Sequence, residues 1–291
     1  MERRIADAST TAVEVEVEAS RRALLDANLD PVDIDYVISW SVVPDRVSPA
    51  SANAVAHQIG APHATAFGVD AGCASTMMQL NTAKGLVESG AADHVLLTQS
   101  HLMTRMFPDS HPASPGVGDC ATAFIVSKNA RWPILATYSR TDGRYYEAVT
   151  WCRGRSDDSD PPWYLSGGSY YLGSRQPGAA KHLMEQTVGM GAETLRALAA
   201  EASIELGRTR VLASVQPRGW IPLAIARCLG LDDAIAERSY QQYAHLGGCG
   251  PLVNWHQARE RGALDRGGLL LLYAQGSGVT RAAAALEISA S

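Results

Sequence analysis

One cysteine in this chain stands where a nucleophile would be useful. Cys73 lies in Asp70-Ala-Gly-Cys73-Ala-Ser, between the apolar run 64–69 and a helical stretch that stops at Glu88-Ser89-Gly90. The pattern predicts a short buried strand, a tight Ala71-Gly72 corner and then a helix. A thiol at that corner stands at a helix N-terminus, whose positive end and unpaired N–H groups favour the thiolate, so it is expected to be more reactive than the other four cysteines. The small neighbours Ala71, Gly72, Ala74 and Ser75 leave room for an acyl group, and the Cys73 N–H can hold an oxyanion. The alternative is a buried core thiol, the commoner fate of an isolated cysteine in an apolar run.

The elements that must position this thiol follow from the rest of the chain. Its 291 residues suffice for one large two-part domain or two smaller ones with a full core. Five cysteines form an odd set without paired spacing, and no basic, apolar, small-residue leader opens the sequence. A reduced, cytoplasmic protein is expected. The longest apolar run, Leu269 to Ala274, is strand-sized, which argues against a membrane protein. A formal charge of −5 with mixed signs offers no basic stripe and argues against nucleic acid. No metal or bound cofactor is called for.

Apolar spacing predicts a helix over 9–28, a strand over 36–42, a helix over 50–59, the Cys73 strand and helix, a strand from His94, a Met-, His- and Pro-rich loop over 101–115, and a strand over 117–126. Alternation of this kind implies α/β architecture with a mostly parallel sheet covered on both faces. Between Asp142 and Gly178 the pattern breaks into aromatic, Gly, Pro and charged residues, among them Tyr145, Tyr146, Trp151, Trp163, Tyr164, Tyr170 and Tyr171. This stretch is either a substrate-side cap or a surface loop. Further on come a helix over 179–202, a strand over 210–215, a helix over 221–229, a short strand over 236–240, a helix over 251–261 and strands over 269–274 and 282–288. Residues 85–99 and 258–272 echo each other as helix, glycine stop and buried strand. Two similar halves packed face to face would bring Cys73 and the second-half turns to one crevice.

Taken in order, Asp70-Ala-Gly-Cys73-Ala-Ser, Gly116-Val-Gly-Asp119-Cys-Ala-Thr-Ala, Ala224-Ile-Ala-Arg-Cys-Leu-Gly230-Leu, Tyr243-Ala-His245-Leu-Gly-Gly and the segment from Gly262 through Tyr273-Ala-Gln-Gly-Ser-Gly278 resemble the ketoacyl-ACP synthase III family of thiolase-fold condensing enzymes, and their acyltransferase relatives in polyketide pathways. The resemblance spans nearly the whole chain. It implies two βαβαβ-type halves stacked as an α-β-α-β-α sandwich: an N-terminal half over 1–140, an insertion or cap over 141–180, and a C-terminal half over 181–291. The family opens with a strand ahead of the segment matching Glu2-Arg-Arg-Ile-Ala, so here the first strand is expected to be missing, through a misplaced start or a short variant.

By the same resemblance Cys73 is the acyl-accepting nucleophile. The family sets two polar groups opposite it. Val215 stands where the first, a histidine, should be, and the second falls on His245. Decarboxylative condensation needs two donors on the thioester oxygen, which valine cannot supply. Simple acyl transfer needs a thiolate, a base and an oxyanion hole. Cys73 and His245 meet the first two needs, and the hole would come from the N–H groups of Cys73 and, by resemblance, Ser277. Gln216 and Arg218 are candidate substitute donors or solvated loop residues. Ser48 matches the residue that lines the neighbouring subunit's acyl pocket. The expected protein is a homodimeric acyltransferase that takes an acyl group from acyl-ACP or acyl-CoA and passes it to a small-molecule alcohol or amine. A decarboxylating ketosynthase and a catalytically impaired partner subunit are the alternatives.

Overall fold

The computed structural model describes residues 3–107, 111–152 and 171–290. In chain order the elements are α1 (Ala12–Ala27), β1 (Tyr36–Ser41), α2 (Ser51–Ile59), β2 (Thr65–Gly68), α3 (Ser75–Glu88), β3 (His94–His101), β4 (Cys120–Ser127), β5 (Ile134–Thr141), β6 (Thr150–Cys152), β7 (Tyr171–Gly173), α4 (Pro177–Ala202), β8 (Thr209–Ser214), α5 (Ile221–Leu229), β9 (Ile235–Ala236), α6 (Tyr240–Tyr243), α7 (Gly250–Glu260), β10 (Gly268–Gly276) and β11 (Thr280–Ile288). Local chemistry sets several ends. Thr11 and Glu14 close a reciprocal capping box on α1, and Asn28 ends that helix in the left-handed region.

Two sheets carry the fold. The first runs β2-β1-β3-β4 and the second β5-β11-β10-β8-β9. The sequence pattern implied mostly parallel pairing, but the sheets are mixed, because β4, β11 and β5 all pair antiparallel. Successive strands β3–β4 and β10–β11 need no crossover helix, so they turn straight back. The expected buried strand ahead of Cys73 is β2, an edge strand that pairs only with β1 and stays partly exposed. Residues 236–240 do not form a strand, since pairing ends at Ala236 and Tyr240 opens α6.

The strand β5 carries alternating Ile134, Ala136 and Tyr138 against the core, a period of two that the sequence reading left unassigned. It pairs with β11, so residues placed in the first half by the boundary at 140 belong to the second sheet. Of the aromatic residues over 142–178, Tyr145 stacks on His182 with 6.0 Å between centroids, whereas Tyr146 is exposed. Trp163, Tyr164 and Tyr170 lie outside the described residues.

The middle layer explains the small residues. Helix α3 touches β1, β3 and β4 on one side and β5, β10 and β11 on the other. Its buried residues are Ser75, Thr76, Met77, Gln79, Leu80 and Ala83, and Met77, Leu80 and Ala83 pack in one core with Ala282 through Ala285 of β11. The small side chains of β11 leave room for the larger ones of α3 to fill the layer between the sheets. Next door, Leu269 through Leu272 of β10 are fully buried, each worth about 1.5–3 kcal/mol of hydrophobic stabilisation. A groove of about 1580 Å³ runs along the outer edge of β4, past Phe124, Trp132 and Trp255, and neither Cys73 nor His245 lines it.

Candidate active site

Cys73 sits in a single turn of 3-10 helix, Gly72–Ala74, directly ahead of α3. The corner is tied down on both sides. The Asp70 carboxylate accepts the Gly72 N–H at 2.9 Å and the Trp40 indole N–H at 2.9 Å. The Ser75 hydroxyl accepts the Ala71 N–H at 2.8 Å and donates to the Gly72 carbonyl at 2.7 Å. Gly72 has φ +57°, and a Cβ there would fall 2.6 Å from Ser277 Oγ and 2.9 Å from the Ser277 nitrogen. Only glycine allows that approach. Gly276, next to Ser277, presses on the same corner, where a Cβ would collide with the Ala71 carbonyl and lie 2.9 Å from the Cys73 nitrogen. The Cys73 and Ser277 backbone nitrogens therefore belong to one tightly packed corner.

His245 reaches this corner from the second half. Its Nε2 lies 3.7 Å from Cys73 Sγ, and its Nδ1 lies 3.2 Å from the Gln216 carbonyl oxygen. A carbonyl only accepts, so Nδ1 carries the proton and Nε2 presents its lone pair to the thiol. Ala244, just before it, holds φ 59° and ψ −154°. Such a conformation costs a residue with a Cβ about 1–3 kcal/mol and is found where the surroundings impose it. Here they do. The His245 N–H donates to the Gly116 carbonyl at 2.9 Å, the Gly118 N–H donates to the His245 carbonyl at 3.1 Å, and the Ala244 N–H donates to the Tyr240 carbonyl at 2.8 Å.

Both partners are neutral at rest. Burial, followed by the neighbouring Cys249 and Asp70, pushes the Cys73 thiol up to about 12. Burial, followed by His101 and opposed by the Gln216 carbonyl, pulls His245 down to about 3. The helix terminus was expected to favour a standing thiolate; desolvation outweighs it. A thiolate at Cys73 would therefore form by proton transfer to His245 Nε2. Cys73 and His245 are each only partly buried as residues.

The remaining candidates divide. Val215 is buried at the end of β8, beside Gly250, and offers no donor. The Gln216 side chain is engaged elsewhere, because its Nε2 donates to the Glu237 carbonyl at 2.8 Å and its Oε1 accepts the Tyr240 N–H at 3.1 Å. Its part in the site is the backbone carbonyl that orients His245. Arg218 is exposed, donates to the Pro217 carbonyl at 3.1 Å, and is near enough to disfavour a charged His245. Ser48 is exposed in the loop before α2, and no hydrogen bond among the described residues joins it to the Cys73–His245 pair.

Sequence reasoning placed His101 in a loop. It is instead the last residue of β3, fully buried, with its ring centroid 5.7 Å from that of His245 at an interplanar angle of 77°. The apolar-to-polar drift of Thr98-Gln-Ser-His101 concealed a strand whose end enters the site.

Two family descriptions match in order along the chain: 3-oxoacyl-[acyl-carrier-protein] synthase III over residues 67–143 and the C-terminal part of the same synthase over residues 200–288. A β-ketoacyl-[acyl-carrier-protein] synthase III of Streptomyces coelicolor is 31% identical over 310 residues, covering 98% of this chain and 85% of its own. The chain belongs to the 3-oxoacyl-[acyl-carrier-protein] synthase III family. A family member from Sphingopyxis alaskensis is 28% identical and covers 98% of this chain and 87% of its own. Among solved structures, the priming β-ketosynthase of the R1128 polyketide pathway superposes with a TM-score of 0.87 at 24% identity, covering 99% of this chain and 85% of its own. The Aquifex aeolicus synthase III superposes with a TM-score of 0.84 at 24% identity, over 98% and 87%. These likenesses establish the thiolase fold of the family. Among the described residues no helix is long and apolar enough to cross a membrane.

Proposed function

We propose that this member of the family is an acyltransferase: it takes an acyl group from an acyl-ACP or acyl-CoA thioester onto Cys73 and passes it to an alcohol or amine. The observation that carries the reading is the dyad of Cys73 and His245, with Nε2 3.7 Å from Sγ, set beside a buried valine at position 215. The Cys73 S–H gives its proton to His245 Nε2 as sulfur attacks the thioester carbonyl. The Cys73 and Ser277 N–H groups hold the oxyanion. Collapse breaks the carbon–sulfur bond to the carrier, whose thiolate takes the proton from His245. In the second half-reaction the acceptor O–H or N–H gives its proton to the same Nε2, its oxygen or nitrogen attacks the acyl carbon, and Cys73 leaves and is reprotonated. No bound cofactor enters either step. A homodimer would bring Ser48 of one subunit toward the acyl pocket of the other.

Carbon–carbon condensation is the second reading, favoured by the synthase names of the relatives. Val215 weighs against it, because one oxyanion-type donor is worth roughly 10² to 10³ in rate. The test supplies malonyl thioester and measures carbon dioxide. Slow release from the natural protein, rising in Val215→His without faster acyl transfer, is the expected result once melting shows that the variant folds. Brisk release with a carbon–carbon bonded product would establish condensation instead.

A further inference from the structure

The His245 turn is held from the first half of the chain, and one side chain fastens the holder. His101 Nδ1 lies 2.9 Å from the Gly118 carbonyl oxygen. Since the carbonyl only accepts, the ring donates through Nδ1. Gly118 in turn donates to the His245 carbonyl at 3.1 Å, and Gly116 accepts the His245 N–H at 2.9 Å. The same ring lies edge-to-face on the His245 imidazole and fills the space where Gly247, at φ +51°, would carry a Cβ. His101 thus touches the His245 turn through its backbone neighbours, through the imidazole itself and through Gly247.

The fit is not explained by packing alone. His101 Nε2 is buried and has no hydrogen-bond partner among the described residues. An unsatisfied buried polar atom typically costs about 1–3 kcal/mol, and a phenyl ring would fill the space without it. Burial, opposed by the Gly118 carbonyl, also pulls His101 down to about 4, so it is a neutral ring with a fixed proton at Nδ1.

We propose that His101 is a positioning residue for His245: its Nδ1–H to Gly118 fixes the 116–118 segment, which sets the height and tilt of the His245 ring over Cys73. The proposal rests on the reading of Cys73 and His245 as nucleophile and base. Two substitutions separate the bond from the ring. His101→Phe keeps an aromatic edge and loses the donor; His101→Asn loses the ring but hangs an amide N–H from the same Cγ.

Single-turnover loading of Cys73 by an acyl thioester is the measurement, with half-saturation and limiting rate read separately. His101→Phe is expected to lower the limiting rate about 10- to 100-fold at unchanged half-saturation, the scale of a misplaced catalytic group. His101→Asn is expected to restore most of it. Wild-type rates in both variants, or equal losses in both, would overturn the proposal. Should the phenylalanine variant not fold, nitrogen-15 NMR of the natural protein decides: the His101 proton must sit on Nδ1 at neutral pH, and a proton on Nε2 overturns the idea. A His245→Ala control that loads and transfers normally would instead remove the base assignment, and with it the reading on which the proposal stands.

Discussion

The corner bearing Cys73 and the turn bearing His245 occupy equivalent places in the two halves, yet they are built differently. Each follows the short parallel strand that extends its sheet and precedes the helix leading to the long inner strand: β2, corner, α3 and β3 in one half; β9, turn, α7 and β10 in the other. The cysteine corner is secured within its own half by Asp70 and Ser75. The histidine turn carries a residue at positive φ and is secured by Gly116 and Gly118 of the opposite half. The exchange runs both ways, because Gly276 and Ser277 of the second half close on the cysteine corner. In each half the turn between the two last strands holds the other half's reactive residue. Neither residue is placed by its own half alone, but the histidine turn depends on the opposite half for its hydrogen bonds, whereas the cysteine corner depends on it for close packing.

The largest break in this comparison is Cys73→Ala, which removes the sulfur proposed to take the acyl group and should abolish loading in intact-mass spectra. Next is His245→Ala, where loss of a general base should slow loading of Cys73 and also slow transfer to an alcohol or amine by about 10² to 10⁴. Within that pair lies the lesson about neutrality: with the thiol pushed up to about 12, iodoacetamide at neutral pH should label exposed Cys228 before Cys73.

Two glycine substitutions sharpen the reciprocity. A Cβ at Gly118 would collide with the Tyr243 carbonyl, ahead of the His245 turn, and one at Gly276 would collide with the Ala71 carbonyl, ahead of Cys73. Each should cost about 1–3 kcal/mol by overpacking, read by thermal melting. Gly118→Ala should slow the proton-transfer steps, whereas Gly276→Ala should also disturb the oxyanion hole. Rates unchanged in both would dissolve the idea of crossed clamps.

A separate effect is expected in the pH dependence of stability. His101 and His245 are held neutral in the fold at about 4 and about 3, below the unfolded value near 6.5. The unfolded chain therefore binds more protons as pH falls, so stability is full above about 6.5 and declines toward 3. Replacing His101 with phenylalanine should flatten part of that decline in melts taken between pH 7 and 4.

Much of this was legible from residue order. The corner and the echo between halves stood out because small residues, glycine stops and apolar runs encode local structure directly, whereas His245 came from the resemblance to the family. The edge position of β2 and the sheet membership of β5 did not, since pairing partners distant in sequence leave no local pattern. Nor did the thiol's neutrality, which is set by desolvation at the junction of both halves. Gln216 read as a side-chain donor because its carbonyl, the group that faces His245, carries no signature in sequence. His101 escaped because its importance lies in a bond to Gly118, a residue 17 positions away.

The most direct measurement follows acyl label through one turnover: incubate the protein with acyl-CoA or acyl-ACP, map the acylated peptide, then add an alcohol or amine and record loss of label. The expected result is acyl on Cys73 alone, discharged to the acceptor in the natural protein and retained at least about 100-fold longer in His245→Ala. Label on another residue, discharge unaffected by His245→Ala, or a carbon–carbon bonded product would contradict the assignment.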